Sequence, residues 1–326
     1  DLIVADEVHY IKNPRSQRSR AVIGHRKGKE VLQEPITARR KVALTGTPVV
    51  NRPNELWSVL NWLDPKSYGS FFAFAKRYCN AHHNGWGWDF KGACNLPELQ
   101  QRLRTTLMVR RLKADVLKEL PAKRRQIIEI PSNGATELVE RENRFEDEWA
   151  DRKAEIMARA EMAKIAEDQE GYAKAVAELN DCESAAFTEG ARIAHEIALA
   201  KVPYVIEHVK AIQDEDPDMK VVIFAHHLDV IAELMEAFGE SAVKLTGDDT
   251  LKARQAAVDR FQTDPTCRQF IGNMQAAGVG ITLTAAHWVV FAEVSWVPGN
   301  MSQAEDRCHR IGQTEQAHEL EVEAVF

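Results

Sequence analysis

The sequence predicts an α/β protein in which two regions of parallel sheet flank a helical insert. Short apolar runs bounded by turn residues occur towards both ends of the 326-residue chain, and such runs are typical of strands buried in a parallel sheet. In the C-terminal part these runs alternate with helical patterns, which indicates right-handed β–α–β crossovers. Residues 135–200 contain no Pro and few Gly, so long helices are expected between the two sheets.

The first α/β region opens with two predicted strands. One covers residues 2–5 and ends at Asp6 and Glu7, whereas the other covers residues 42–44 and ends at Thr45-Gly46-Thr47-Pro48. Proline disfavours helical geometry in the residue before it, so a turn is expected after the second strand. Both strands therefore end in polar residues at the edge where α/β sheets bind their ligands.

Helices and loops are expected to complete the first region. Leu56, Leu60 and Leu63 recur at helical spacing until Pro65 interrupts the pattern. Residues 66–120 are rich in aromatic and then in basic side chains, and they are expected to extend the first region with helices and loops. The predicted domains are residues 1–120 for the first α/β region with its helical extension, 121–200 for a linker and helical protrusion, and 201–326 for the second α/β region.

The second α/β region is predicted to contain five strands separated by helices. The strands are expected at residues 221–225, 242–245, 269–272, 288–292 and 319–326. Helical patterns lie between them at residues 228–238 and 250–262. This alternation predicts a second parallel sheet.

Charge is distributed unevenly along the chain. The formal net charge is -7, but residues 135–190 contain 16 acidic and 7 basic residues, whereas residues 101–125 contain nine basic and two acidic ones. The acidity therefore belongs to the insert, and a basic segment suited to a polyanion precedes it. Two solvated helix faces would explain the pattern as well.

Composition also excludes some classes of site. The five cysteines are widely spaced and form no C-x-x-C pair, which argues against a zinc site and fits a reducing compartment. No apolar stretch approaches the length of a membrane span, so no membrane partner is expected.

The adjacent carboxylates of Asp6 and Glu7 are the first candidate site. One carboxylate can hold Mg²⁺ against the phosphates of a nucleotide, while the other orients or deprotonates the attacking water. Acidic strand ends are common, and by itself the pair fits an ordinary strand end as well.

The second candidate site is the segment around residues 302–310. If these residues are helical, Gln303, Arg307 and Arg310 fall at i, i+4 and i+7 on one face. Two guanidinium groups and an amide suit a polyphosphate, because Arg usually stabilises the charge that develops in phosphoryl transfer. A solvated helix with surface ion pairs accounts for the spacing equally well.

Two further segments combine hydroxyl groups with glycine. The hydroxyls of Thr45 and Thr47 could relay hydrogen bonds between a nucleotide site and another surface, although a plain strand-to-helix turn explains them too. Around Gly280, small residues permit close approach of the backbone to a ligand, and the Thr282 hydroxyl can donate to a phosphate. A tight turn is the simpler explanation of that segment.

Taken in order, these motifs resemble those of the Swi/Snf-like family of superfamily 2 helicase-type ATPases. Asp6-Glu7-Val8-His9 matches the D-E-x-H box of that family, with Val8 where Ala, Gly or Ser is commoner, and Lys12-Asn13 follows as expected. The other matching blocks are residues 44–48, 51–56, 110–116 and 303–313. Residues 78–79, 85–89, 291–293 and 296–299 resemble the HepA-related annealing helicases, which rewind single strands and remodel branched DNA. Val297 departs from the Asn that is usual there.

The resemblance implies two RecA-like lobes, the first one truncated, and a role for each matched residue. Asp6 would bind Mg²⁺ and Glu7 would activate water, with Arg307 and Arg310 as the catalytic arginines. The other assignments are Gln303 and Gly280 for nucleotide binding, His9, Thr45 and Thr47 for coupling, and Arg254, Thr282 and Trp296 for DNA binding. ATP and Mg²⁺ are the implied cofactors, and DNA bound without sequence preference is the implied partner.

The implied function is that of an ATP-driven DNA translocase or annealing helicase. A catalytically silent DNA-binding scaffold of the same fold is an alternative, and so is a remodeller of protein–DNA complexes. The four retained residues Asp6, Glu7, Arg307 and Arg310 argue against a silent module. The sequence contains no G-x-x-x-x-G-K-[ST] phosphate loop; the loop is expected upstream of Asp1, so this stretch alone is expected to be inactive. The expected location is the nucleus of a eukaryote, or the nucleoid in the cytoplasm for a bacterial or phage protein.

Overall fold

The structure is a computed structural model that describes residues 1–27, 30–49, 51–83, 87–118, 120–129, 136–277, 280–295, 297–311 and 319–325. The chain divides into two compact units. One unit consists of residues 1–116 and 297–299, and the other of residues 117–296 and 300–326. Parallel strands occur in both units, so the predicted α/β class is confirmed.

The first unit contains short strands and five helices among its described residues. Its strands are β1 (Leu2–Ala5), β2 (His25–Lys27), β3 (Glu30–Gln33), β4 (Arg40–Ala43), β5 (His82–His83) and β6 (Trp88–Asp89). Its helices are α1 (Gln17–Ile23), α2 (Leu56–Leu63), α3 (Phe71–Tyr78), α4 (Leu96–Thr106) and α5 (Lys113–Val116). Serine side chains accept backbone N–H groups at the starts of α1 and α3, which satisfies donors that an uncapped helix leaves unpaired.

The predicted strand pair of the first unit is formed by β1 and β4, which run parallel in full register. The second of these strands covers residues 40–43 rather than the predicted 42–44. One face of the pair packs on an apolar cluster that includes Val8, Ile11, Val59 and Trp62. Two hairpins, β2–β3 and β5–β6, are antiparallel and were not predicted from the sequence.

The second unit is built on a six-stranded parallel sheet. Its strands are β7 (Ala122–Ile128), β8 (Val221–Ala225), β9 (Ala242–Leu245), β10 (Gln269–Asn273), β11 (Trp288–Phe291) and β12 (Glu319–Val325), in the order β7-β12-β11-β8-β10-β9. Its helices are α6 (Thr136–Ile165), α7 (Gln169–Glu215), α8 (Leu228–Phe238), α9 (Leu251–Thr263), α10 (Met274–Ala277) and all but the first two residues of α11 (Pro298–Glu305). All five strands predicted for this region are present, with ends that differ by at most one residue.

Both faces of this sheet are covered. Along β8, Val222 and Phe224 enter one apolar cluster, whereas Val221, Ile223 and Ala225 enter another. Successive side chains of a strand point to opposite faces, so a strand covered on both sides is a continuous apolar run. This explains why an apolar run predicted β8 correctly.

The helical insert consists of α6 and α7, which pack against each other. The side chain of Asp168 caps the start of α7 by accepting the N–H of Gly171. Ile156 and Ile193 are buried in the pair, and ion pairs such as Arg159–Glu178 at 2.7 Å lie on its surface. Long helices in this region were predicted. Among the described residues, no helix is long and apolar enough to cross a membrane.

Two boundaries of the predicted linker differ in the structure. Residues 122–128 were assigned to a linker, but they form β7, which pairs in parallel with β12 at the edge of the second sheet. An edge strand has one free side and tolerates charged residues, so its sequence lacks the apolar run that reveals a central strand. Helix α7 also continues past residue 200, where the linker was predicted to end, as far as Glu215.

Candidate functional site

Asp6 and Glu7 follow β1 directly and form a tight turn. The backbone of Glu7 is left-handed, with φ 47° and ψ 47°, and the Asp6 carboxylate accepts the N–H of Glu7 at 2.8 Å. A left-handed conformation costs a residue with a side chain roughly 1–2 kcal/mol. Such strain persists only where the surroundings impose it, and it is frequent at functional sites. The turn leaves Asp6 exposed and Glu7 partly buried.

His9 joins this turn to the end of β4. Its Nδ1 lies 3.1 Å from the Thr45 hydroxyl oxygen and 3.2 Å from a carboxylate oxygen of Glu7. Burial lowers the pKa of His9, and this effect outweighs the opposing influence of the Glu7 carboxylate. Thr45 also accepts the N–H of Thr47 at 3.1 Å. The structure thus brings together all three residues predicted to couple the site.

A second set of contacts ties the same turn to the segment before α2. Lys12 donates to Glu55 at 2.9 Å, and the other oxygen of Glu55 accepts the N–H of Asn51 at 3.1 Å. The Ser58 hydroxyl donates to the carbonyl of Ile11 at 2.7 Å. These contacts connect the block that contains Asp6 with residues 51–56, two segments that the sequence had related only through a family pattern.

In the second unit, the predicted catalytic arginines follow α11. Arg310 donates to the Thr282 hydroxyl at 3.1 Å and to the carbonyl of Asp306 at 3.0 Å. The carbonyl of Arg307 accepts the N–H of Leu283 at 2.9 Å, and Arg307 is 7% exposed. Residues 282–283 and 307–310 are therefore adjacent, although nothing in the sequence spacing linked them.

The helix considered for residues 302–310 is present only in its first half. Helix α11 ends at Glu305. Beyond it the N–H groups of Arg307 and Cys308 bond to carbonyls three residues back, which is a tighter turn than an α-helix. Cys308 is fully buried in the core, and this burial together with the bond to Leu283 overrides helical continuation. Gln303 therefore lies on the helix while Arg307 and Arg310 lie beyond it.

The remaining predicted site residues have different surroundings. Gly280 has φ 76° with no heavy atom near the position of a Cβ, so its backbone conformation rather than a close approach accounts for glycine there. The Arg254 guanidinium donates to the carbonyls of Thr246 and Ala276 at 3.2 and 3.3 Å. It thus braces the segments that follow β9 and β10. Trp296 lies outside the described residues.

Sequence reasoning missed a buried acidic residue beside these arginines. Glu305 is nearly buried and receives hydrogen bonds from Lys123 at 3.0 Å and from Arg125 at 2.6 Å. Lys123 and Arg125 are two residues apart on one face of β7, but Arg124 between them puts a charge on the other face as well, so the sequence shows no alternation that would have indicated a strand. Their partner, 180 residues away, could not be read from the sequence.

Glu293 is a second residue whose contacts the sequence did not predict. It follows β11, and its carboxylate accepts the N–H groups of His226 and His227 at 2.7 and 2.9 Å. The ring of His227 also contacts Glu293 and stacks on His195 of α7, with centroids 4.1 Å apart. Glu293 therefore links the ends of β8 and β11 with the helical insert.

The donor set beside β1 fits a magnesium ion. Asp6 presents an exposed carboxylate at the carboxyl end of a parallel strand, and Mg²⁺ prefers hard oxygen ligands. Among the described residues, no three His, Cys, Asp or Glu side chains are grouped to hold a metal. A magnesium ion at a nucleotide usually takes only one or two protein carboxylates, with waters and phosphates as its other ligands. Asp6 is therefore the residue that would hold it.

Comparison with known families defines the class of this protein. Residues 200–312 match the helicase conserved C-terminal domain. Residues 1–182, more than half of the chain, match the SNF2-related domain. The chain therefore belongs to the SNF2-related family, as the order of its motifs predicted.

Curated relatives match over almost the whole chain. The human DNA annealing helicase and endonuclease ZRANB3 is 37% identical over 321 residues, which cover 96% of this chain and 26% of that protein. The SWI/SNF-related matrix-associated actin-dependent regulator of chromatin subfamily A-like protein 1 of Xenopus tropicalis is 34% identical over 317 residues, or 96% of this chain and 30% of that protein. The chain thus spans less than a third of the length of either relative.

Among solved structures, the SWI2/SNF2 ATPase core of Sulfolobus solfataricus in complex with dsDNA matches with a TM-score of 0.39 and 23% identity. The match covers all of this chain and 63% of that one. The C-terminal part of the Fun30 ATPase domain matches with a TM-score of 0.35 and 29% identity, over 39% of this chain and 40% of that one. At these TM-scores neither structure carries an argument about the arrangement of the chain.

Proposed function

We propose that the chain carries the ATP-hydrolysing core of a DNA-dependent ATPase that moves along DNA or remodels it. The observation that carries this proposal is the contact of His9 with both Glu7 and Thr45. Either strand end alone would be unremarkable for an α/β protein. A shared histidine gives the carboxylate that would handle water a direct connection to the hydroxyl turn after β4.

Each residue of the proposed site has a defined task. Glu7 would take the proton of the attacking water at its carboxylate, while Asp6 would hold Mg²⁺. When bound, Mg²⁺ would neutralise charge on the phosphates of ATP. Arg307 and Arg310 would stabilise the charge that develops on the transferred phosphoryl group. His9, Thr45 and Thr47 would connect the state of this site to the DNA-binding surface.

The work done on DNA is proposed from the relatives. The human relative is described as a DNA annealing helicase, and the present chain shares 37% of its residues over the matched region. We therefore propose strand annealing or branch remodelling, with contacts to phosphates that carry no sequence information. A protein of this kind would act in the nucleus of a eukaryotic cell.

The test is a substitution of the proposed base in the full-length protein. Glu7→Gln should lower DNA-stimulated ATP hydrolysis by about 10²–10⁴-fold and leave ATP binding intact, because Asp6 can still hold the metal. Glu34→Gln removes an exposed carboxylate of the same unit and should leave hydrolysis unchanged. ATP turnover with and without DNA, together with nucleotide binding, would be measured for all three proteins.

Two outcomes would contradict the proposal in different ways. Hydrolysis at the parental rate by the Glu7→Gln variant would remove Glu7 from the mechanism. A parental protein that binds DNA and ATP but hydrolyses none would instead support a silent DNA-binding scaffold.

A further inference from the structure

The two arginines lie on a short turn that is attached to β7 by side-chain contacts. We call residues 306–310 the arginine turn. Glu305, just before it, accepts hydrogen bonds from Lys123 at 3.0 Å and from Arg125 through two nitrogens, the shorter bond being 2.6 Å. Lys123 also donates to Asp306 at 3.2 Å. Two cations of one strand thus hold the first residues of the turn.

A third contact comes from the residue just before β7. The ring Nε2 of His309 lies 2.9 Å from the carbonyl of Pro121. Pro121, Lys123 and Arg125 therefore contact three residues at or beside the arginine turn, and we call these three residues the β7 clamp. The chain passes from the first compact unit to the second between Val116 and Leu117, so the clamp begins a few residues after that connection.

Glu305 is placed so that its side chain controls the backbone of the turn. The side chain is 4% exposed, and a buried carboxylate is stable only while it is paired and hydrogen bonded. The carbonyl of the same residue accepts the N–H groups of Cys308 and His309. If Glu305 lost its cations and moved towards water, the backbone that carries Arg307 and Arg310 would move with it.

We propose that the β7 clamp positions the arginine turn, with Glu305 as the residue through which it acts. This inference rests on the proposed ATPase function, because the turn carries the two arginines assigned to phosphoryl transfer. Lys123, Arg125 and Glu305 are positioning residues: the atoms they contact belong to this chain. A change around residues 116–117, one of the places where the chain passes between the two units, would reach Arg307 and Arg310 through these bonds.

The alternation of β7 supplies a matched control. Lys123 and Arg125 are two residues apart and share one face, whereas Arg124 between them lies on the other face and is exposed. Arg124→Met removes the same kind of charge from the same strand without touching Glu305. A general effect of charge loss on β7 would appear in Lys123→Met and Arg124→Met alike, whereas a clamp effect would spare Arg124→Met.

The experiment measures ATP turnover, ATP KM and DNA affinity of the full-length protein and its variants. Lys123→Met and Glu305→Gln should each lower kcat by about 10- to 100-fold, since small misplacements of catalytic groups have effects of this size. DNA affinity in the absence of nucleotide should stay at the parental value, as should kcat of Arg124→Met. Lys123→Arg keeps a cation at the same place and should retain most of the turnover.

A double-mutant cycle separates positioning from loss of structure. If the clamp acts through the two arginines of the turn, the Lys123→Met change should cause little further loss in kcat when Arg307 and Arg310 are both already Ala. Additive losses in this cycle would overturn the proposal, because they would mean that Lys123 acts independently of the turn. Thermal unfolding of each variant identifies any that fail to fold. If Lys123→Met fails to fold, the kcat of Glu305→Gln, which keeps the shape of the side chain, tests the proposal instead.

Failure of this inference differs from failure of the proposed function. Parental turnover in Lys123→Met and Glu305→Gln, beside an active parental protein, would overturn the clamp alone. A parental protein without DNA-stimulated turnover would overturn the proposed function, and this inference with it.

Discussion

His9 is a single buried side chain whose protonation can be argued from its neighbours. Burial lowers its pKa, which favours the neutral ring. Its Nδ1 faces both a hydroxyl and the carboxylate of Glu7, and an ionised carboxylate can only accept a hydrogen bond. The tautomer with the proton on Nδ1 therefore fits this site best. In that state His9 can donate towards Glu7 or Thr45, so its ring can respond to a change at either residue.

Arg310 is expected to act on hydrolysis rather than on DNA binding. Arg310→Ala should lower kcat on the order of 10³-fold, the size of the contribution that an arginine makes to phosphoryl transfer in comparable enzymes. DNA affinity without nucleotide should be nearly unchanged. Its hydrogen-bond partner Thr282 supplies the contrast in DNA affinity, because Thr282 is assigned to DNA binding. Thr282→Val should weaken DNA affinity, and it should also lower kcat because it removes a hydrogen bond to Arg310.

The opposite pattern would reverse these two assignments. If residues 307–310 form a basic DNA-binding surface, Arg310→Ala should weaken DNA binding and flatten its salt dependence by about one unit of slope. ATP turnover at saturating DNA, measured beside DNA affinity over a salt series, distinguishes the two cases. Normal turnover with reduced affinity in Arg310→Ala would contradict the catalytic role.

At the scale of elements, the sequence predicted β8 most directly, because its side chains are buried on both faces. β8 is buried at every position and reads as an unbroken apolar run. β7 has the sequence Ala-Lys-Arg-Arg-Gln-Ile-Ile, and it was missed because its charges are paired by residues far along the chain. A local apolar pattern indicates burial in the sheet, whereas β7, with three consecutive charged residues, is recognisable only from its tertiary contacts.

The sequence motifs related residues that the structure brings together, but they did not give the geometry of the candidate site. Motif order related Asp6, Glu7, His9 and Thr45 to one site, and the structure brings the last three into contact. The helix assumed for residues 302–310 ended early because burial of Cys308 decided the backbone. Helical periodicity cannot report such an interruption, since the competing contacts come from Leu283 and from the core.

The pair of α6 and α7 is expected to owe its stability to its few buried residues. Ile156 is fully buried, and Ile156→Ala should lower the free energy of opening of the pair by about 2–5 kcal/mol. Arg152 forms ion pairs with Glu155 and Glu178 but is about half exposed, so Arg152→Met should cost less than about 1 kcal/mol. Native-state hydrogen exchange of the amides of residues 150–160 measures both effects. Equal losses in the two variants would mean that the surface ion pairs dominate.

Across the whole molecule, acidic and basic side chains are concentrated in different segments, which the net charge of -7 does not show. Residues 135–190, most of which belong to α6 and α7, hold 16 acidic residues against 7 basic ones. In the basic segment of residues 101–125, Lys123 and Arg125 are already paired with Glu305. Arg104, Arg110 and Arg111 remain exposed in the first unit. The charge offered to a polyanion is therefore smaller than the sequence suggested, and it is concentrated before residue 117.

This division predicts which arginines contribute to the salt dependence of DNA binding. In the full-length protein, Arg104→Ala and Arg111→Ala should each reduce the slope of log affinity against log salt by about 0.9, the value for one lost phosphate contact on B-DNA. The matched control is Arg144→Ala, because Arg144 is equally exposed but lies in the acidic helix α6. It should leave the slope unchanged. Affinities for duplexes of unrelated sequence would be measured without nucleotide, so that ATP turnover does not affect the result.

A slope that falls as much in Arg144→Ala as in Arg104→Ala would show that DNA contacts the insert as well. The acidic helices would then have to lie along the DNA, a position that repulsion from phosphates opposes.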